Sequence, residues 1–125
     1  MTCGARRMIA ALSLLGMAGC GPGDVGESTG LVEGDPASGR RITARLQCGA
    51  CHRIPGVQPS RGRVGPSLEE FGRRGYIAGL FPNRPAVLAR WLSDAPAMEP
   101  RTAMPAFALT AREARDVASY LYTLR

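Results

Sequence analysis

Cys48-Gly49-Ala50-Cys51-His52 decides how this chain is read, because it brings two thiols and the chain's single histidine together within five residues. One helical turn separates the thiols, so both can face one way while the next residue turns its imidazole beneath them. A thioredoxin-like redox pair would need a strand-rich βαβ setting, and the surrounding sequence has a helical pattern instead. A structural zinc site takes four ligands, yet His52 is the one histidine, and of the other two cysteines Cys3 belongs to the N-terminal leader and only Cys20, at the leader's end, would add a third sulfur. A plain disulfide across two residues would close a tiny loop, stabilise little, and leave His52 unexplained. C-x-x-C-H is also the pattern of covalent haem attachment. There both thiols bond the vinyl positions on one porphyrin edge, and the imidazole becomes an axial ligand of the iron. The motif therefore calls for one haem c, held by Cys48 and Cys51 and ligated by His52.

Upstream, Arg6 and Arg7 precede a short apolar run from Met8 to Gly19, the layout of an export signal. The run is too short to cross a bilayer as a helix. It ends in Leu15-Gly16-Met17-Ala18-Gly19-Cys20, which resembles a bacterial lipobox with Met17 in place of the usual leucine. Residues 1–19 are thus expected to be a lipoprotein signal peptide and Cys20 the lipidated first residue of the mature chain. Two or more acyl chains, at about 0.8 kcal/mol per buried methylene, would hold the protein stably at a membrane. An ordinary secretory cleavage would instead leave a soluble protein with a spare thiol. Residues 20–35 are rich in glycine, serine and acids and have no apolar periodicity, as a flexible tether would be. Such a tether places a domain roughly 20 Å from its anchor on average. Haem attachment itself implies maturation outside the cytoplasm, so the expected location is periplasmic, or the outer face of the cytoplasmic membrane.

Residues 36–125 have room for one small domain, which gains much from a built-in staple. All sixteen basic residues are arginine. From Pro36 onward fourteen of them face six acids, so the domain is basic by 14 − 6 = 8 charges. The helix signals are clear. Asp35-Pro36 is a good start, leading a stripe of Gly39, Ile42 and Leu46 into the motif. Asn83 is placed to cap a second helix whose Val87, Leu88, Trp91 and Leu92 share a face until Pro96. Thr110-Ala111-Arg112-Glu113 is a capping box, followed by Ala114, Val117, Leu121 and Leu124 at helical spacing. No strand signal is comparably strong. With no second histidine and no lysine, the candidates for the other axial position are methionine and, less often, water. Met98 and Met104 both lie in loops before prolines, and spacing alone does not choose between them. Either can equally be a flexible core filler.

The order of these parts resembles a class I cytochrome c over essentially all of Pro36 to Arg125. They are a helix with Gly39, Cys48 to His52, Gly65-Pro66-Ser67-Leu68, the helix Pro85 to Ser93, Pro100-Arg101-Thr102-Ala103-Met104-Pro105, and the closing helix Ala111 to Leu124. The resemblance implies an all-α fold of three to five helices around one haem, with Met104 as the distal ligand and Met98 as a packing residue. It also implies that Pro66 offers its carbonyl to His52 Nδ1 and that Leu68 packs on the haem face. Arg73 would pair with a haem propionate, with Arg74 a possible substitute. Trp91 would lie beside the distal methionine, and Thr102 would bond the haem edge or a propionate. Gly39 would let the first and last helices cross closely, near Tyr120 and Leu121.

The stretch Gly72 to Asn83, with Leu88-Ala89-Arg90-Trp91-Leu92, resembles the cytochrome c domains fused to subunit II of some haem-copper oxidases; the copper-binding part is absent. This implies an electron-transfer protein, not an enzyme, whose redox partner is a terminal oxidase. An extracytoplasmic dehydrogenase is the alternative, and a haem-based sensor or a small peroxidase is a more distant one. The peroxidase would need an open distal position and an acid-base group there. Neither nucleic acid nor a small-molecule substrate is expected as a partner. The arginine excess would steer an acidic docking face on the partner protein, an effect on rate that salt weakens.

Overall fold

The computed structural model describes residues 33–125, so the leader, Cys20 and most of the tether lie outside the described residues. Two helices form the frame. In the first, α1 (Pro36–Arg45), Asp35 caps the start by accepting the Ala37 N–H at 2.9 Å, and Pro36 occupies the first turn, where no backbone donor is needed. Its buried face is Gly39, Ile42 and Thr43. The last helix, α4 (Ala111–Thr123), opens on a complete capping box: Thr110 Oγ1 accepts the Glu113 N–H at 3.2 Å, and Glu113 Oε2 accepts the Thr110 N–H at 3.0 Å.

The two helices cross with their backbones in contact. A Cβ added at Gly39 would lie 1.9 Å from the Asp116 carbonyl oxygen and 2.9 Å from Tyr120 Cβ, so no larger residue fits this crossing. Asp116, buried at the same place, accepts the Asp35 N–H at 2.9 Å and ties the entry of the domain to its closing helix. Val117 and Leu121, with Tyr120, extend the contact into the core. Burying aliphatic side chains of this size stabilises the fold by roughly 1.5–3 kcal/mol each.

Between these helices the chain is mostly loop, with α2 (Pro85–Ser93), the short α3 (Ala95–Met98) and one small hairpin. Helix α2 buries Leu88, Trp91 and Leu92 and ends ahead of Pro96, as the sequence predicts. The chain restarts at once as α3, where Asp94 accepts the Ala97 N–H at 3.1 Å. Its N-terminus departs from expectation. In α2 Arg84, not Asn83, is the N-cap and makes no side-chain cap bond, a guanidinium having no acceptor to offer, while the Asn83 amide is engaged by the preceding loop and by α4. The hairpin, β1 (Tyr76–Ile77) against β2 (Phe81–Pro82), is too short to leave a period in the sequence. Its turn places Ala78 and Gly79 at φ of 52° and 72°, the paired left-handed residues that match strand twist. Four helices with this minimal ladder make the domain mainly α.

Candidate functional site

The chain leaves α1 and reverses at Gln47, whose φ of 56° is left-handed. Cys48–Ala50 then forms a single 3-10 turn, and the Cys51 and His52 N–H groups both bond the Cys48 carbonyl, at 3.2 and 3.0 Å. This compact turn sets both thiols and the imidazole on the wall of one mostly apolar cavity of about 440 Å³. That volume falls within the usual range for a bound small molecule or cofactor. Both thiols are free. Burial pushes the Cys48 thiol above its ordinary pKa.

The His52 ring is fixed from behind. Its Nδ1 lies 2.7 Å from the Pro66 carbonyl oxygen, which can only accept, so Nδ1 carries a proton, and in the neutral ring Nε2 holds the free lone pair. Gly65 makes this approach possible: a Cβ there would lie 2.2 Å from His52 Cε1. The segment carrying Pro66 is itself tied to the motif, since Gly65 N–H bonds the Cys51 carbonyl at 2.9 Å and Leu68 N–H the Arg53 carbonyl at 2.8 Å.

The structure gathers almost all of the residues singled out in the sequence. Cys48, Cys51, His52, Pro66 and Leu68 line the cavity from one stretch of chain, and Trp91, Thr102 and Met104 line it from α2 and the loop after α3. Trp91 is buried and packs on Phe81, with ring centroids 5.8 Å apart. Met104 is half-buried, and its N–H bonds Thr102 Oγ1 at 3.2 Å. Met98 packs on the core from the end of α3 and does not line the cavity.

Arg73 is the exception. It lies in the 3-10 turn Phe71–Arg73 with its guanidinium out at the surface, 3.4 Å from Glu70, and takes no part in the cavity wall. The arginine on the wall is Arg74, one residue on, where the backbone becomes extended. Its guanidinium lies over the Phe71 ring, 5.9 Å from the centroid, and donates to the Ser67 carbonyl. Two further wall residues carry no sequence signal of their role, Phe107 just past the methionine loop and Ala78 in the hairpin turn.

This donor set suits an iron porphyrin. It offers two adjacent free thiols, an imidazole whose Nδ1 is taken by the Pro66 carbonyl and whose Nε2 is not, a thioether from a separate segment, and apolar walls between them. Among the described residues no group of three or more His, Cys, Asp and Glu side chains is placed to hold a bare metal ion. The model of the family described as cytochrome c matches residues 36–125. The chain belongs to the cytochrome c family. Its cofactor is accordingly a haem c bonded to Cys48 and Cys51, and its family's general work is electron transfer.

Among solved structures this cytochrome resembles SoxXA from P. pantotrophus, at 26% identity and a TM-score of 0.57, over 73% of this chain and 82% of that one. It also resembles the c-type cytochrome SorU from Sinorhizobium meliloti, at 26% identity and a TM-score of 0.49, over 71% of this chain and 88% of that one. A search of curated proteins found no sequence relative.

Proposed function

We propose that this chain is a class I monohaem cytochrome c with His52 and Met104 as axial ligands, carrying electrons one at a time between redox proteins outside the cytoplasm. The observation that carries this reading is the pairing on one cavity of an imidazole whose Nδ1 is held by Pro66 and a methionine delivered by a different loop. Bound haem supplies a ferrous–ferric couple, and methionine ligation favours a relatively high potential. The residues around it do the rest. Pro66 fixes the imidazole and makes it a better donor. Leu68, Trp91 and Phe107 line the cavity with apolar surface that holds water off. Arg74, with N–H groups beyond the one given to Ser67, takes the role of propionate partner that the family pattern gives to an arginine here.

The domain is tethered through a lipidated Cys20, and it hands electrons to a membrane-bound terminal oxidase. No helix among the described residues is long and apolar enough to cross a membrane. The docking face is basic. Arg61 and Arg63 are exposed, make no ion pair among the described residues, and come just before Val64, a 75% exposed apolar residue on the cavity rim. Such a surface suits a partner with an acidic rim and an apolar centre.

The ligand set is tested by the red-region charge-transfer band of the ferric protein, which methionine ligation produces. Met104→Ala is expected to abolish the band and Met98→Ala to leave it. A band that survives the first change and is lost on the second would overturn the assignment.

A further inference from the structure

Asn83 reads from the sequence as a helix cap, and the structure uses it for something else. Its side-chain N–H donates to the Arg74 carbonyl at 2.9 Å, and its Oδ1 accepts the Tyr122 hydroxyl at 2.8 Å. Its backbone N–H bonds the Gly75 carbonyl at 2.9 Å. Tyr122 also packs edge-on against Phe71, with centroids 6.1 Å apart and planes at 64°. Phe71 in turn lies under the Arg74 guanidinium. Arg74 is therefore gripped at its backbone by Asn83 and at its side chain by Phe71, and both grips lead back to Tyr122 on α4.

What this held guanidinium does is donate to the Ser67 carbonyl. Ser67 follows Pro66, whose carbonyl receives the His52 Nδ1 proton. On either side, Gly65 and Leu68 are already tied through their N–H groups to Cys51 and Arg53. The Ser67 carbonyl is a further point at which this short segment is held, and Arg74 occupies it. We infer that Arg74, clamped by Asn83 and Tyr122, is a positioning residue that holds the Pro66 carbonyl on His52 and so keeps the proximal imidazole's orientation and basicity fixed. This rests on the reading of His52 as proximal ligand and adds to it a line of control from the closing helix: Tyr122, Asn83, Arg74, Ser67, Pro66, His52.

The test uses the ferrous holoprotein and reads the exchange rate of the His52 Nδ1 proton by NMR, with the optical spectrum as a check that haem and both axial ligands are in place. Arg74→Leu is expected to speed exchange about tenfold, which is about 1.4 kcal/mol. Asn83→Ala and Tyr122→Phe should give smaller increases in that order, and Arg74→Lys a partial rescue. Arg73→Leu, one residue away but paired outward with Glu70, should change nothing. If the clamp acts through Arg74, Asn83→Ala adds no further increase in the Arg74→Leu background. Exchange unchanged in Arg74→Leu, or an Asn83→Ala effect that persists in full without Arg74, would overturn the inference. Should Arg74→Leu fail to fold, Tyr122→Phe removes one hydroxyl alone and decides the matter by the same readout. A wild-type holoprotein lacking an imidazole ligand would instead count against the axial assignment, and the two failures are distinguishable.

Discussion

The two walls that bring His52 and Met104 to the cavity are built by opposite means. On the histidine side, the loop after the motif is fastened to distant points of the chain: Gly62 to Gly49, Gly65 to Cys51, Pro66 to His52, Leu68 to Arg53. On the methionine side, the bonds from Glu99 to Met104 are local. Thr102 N–H bonds the Glu99 carbonyl at 3.0 Å, Arg101 bonds the Glu99 carboxylate, and Met104 N–H bonds Thr102 Oγ1. The first long-range tie comes only at Phe107, whose N–H bonds the Ser93 carbonyl at 2.9 Å. Local bonds shape a loop without fixing it to the body, and regions with few long-range ties open at the lowest cost. One wall is thus a firmly tied seat, and with the proposed ligand set the other is the side from which an axial ligand would leave first.

The sharpest way to break that contrast is to spoil the seat. Gly65→Ala puts a Cβ into the imidazole, and to yield either the ring must leave its bond to Pro66 or the segment its tie to Cys51. Overpacking of this kind costs up to about 3 kcal/mol, and the expected outcome is a large loss of holoprotein yield and a lowered denaturation midpoint. Gly75→Ala is the matched control, because a Cβ there meets nothing within 4 Å. Equal behaviour of the two variants would show that the proximal segment is more yielding than its bonds imply.

A smaller effect is expected on the other wall. Thr102→Val keeps the shape of the side chain and removes the acceptor of the Met104 N–H, a net loss of about 1 kcal/mol. If the loop opens by itself, that loss falls on the local step. The ferric charge-transfer band should disappear at lower denaturant or temperature than in the wild type, while global unfolding, followed by far-ultraviolet circular dichroism, moves much less. Parallel movement of the two transitions would mean that the methionine loop and the domain open as one unit.

The same division governs what could be read from the sequence. The frame was legible because its signals are local or periodic: Asp35-Pro36, the Thr110 to Glu113 box, the apolar stripe of α4, and the five-residue motif. The residues on the cavity were legible mostly through the family's order of parts. What was missed depends on contacts remote in sequence. Arg73 and Arg74 are chemically identical neighbours, and only the three-residue turn Phe71–Arg73 followed by extended backbone decides which faces the cavity. Asn83 stands where a cap would, just before Pro85, and nothing local indicates that Tyr122, 39 residues later, engages its side chain. Gly65 belonged to a recognised segment, but its need to be glycine follows only from where the His52 ring comes to rest.

The smallest expected effect concerns the joint between the two walls. Arg45, the last residue of α1 before the motif, pairs at 2.7 Å with Glu113, which also closes the cap of α4 just after the methionine loop. The Arg45 guanidinium, with the Thr110 backbone and hydroxyl donors, holds the Glu113 carboxyl well down, to about 2. A carboxyl whose folded pKa lies below its unfolded value of about 4.5 adds stability that is fully present above that value and is lost as pH falls toward 2. The pair is partly exposed, so the contribution is modest and weakened by salt. Glu113→Gln should therefore be slightly less stable than the wild type near neutral pH, with the gap closing between about pH 4.5 and 2. Denaturant midpoints of both proteins across that range provide the measurement. A gap that stayed constant down to pH 2 would assign the stabilisation to the shape of the cap rather than to its charge, and the two walls would then be joined by geometry alone.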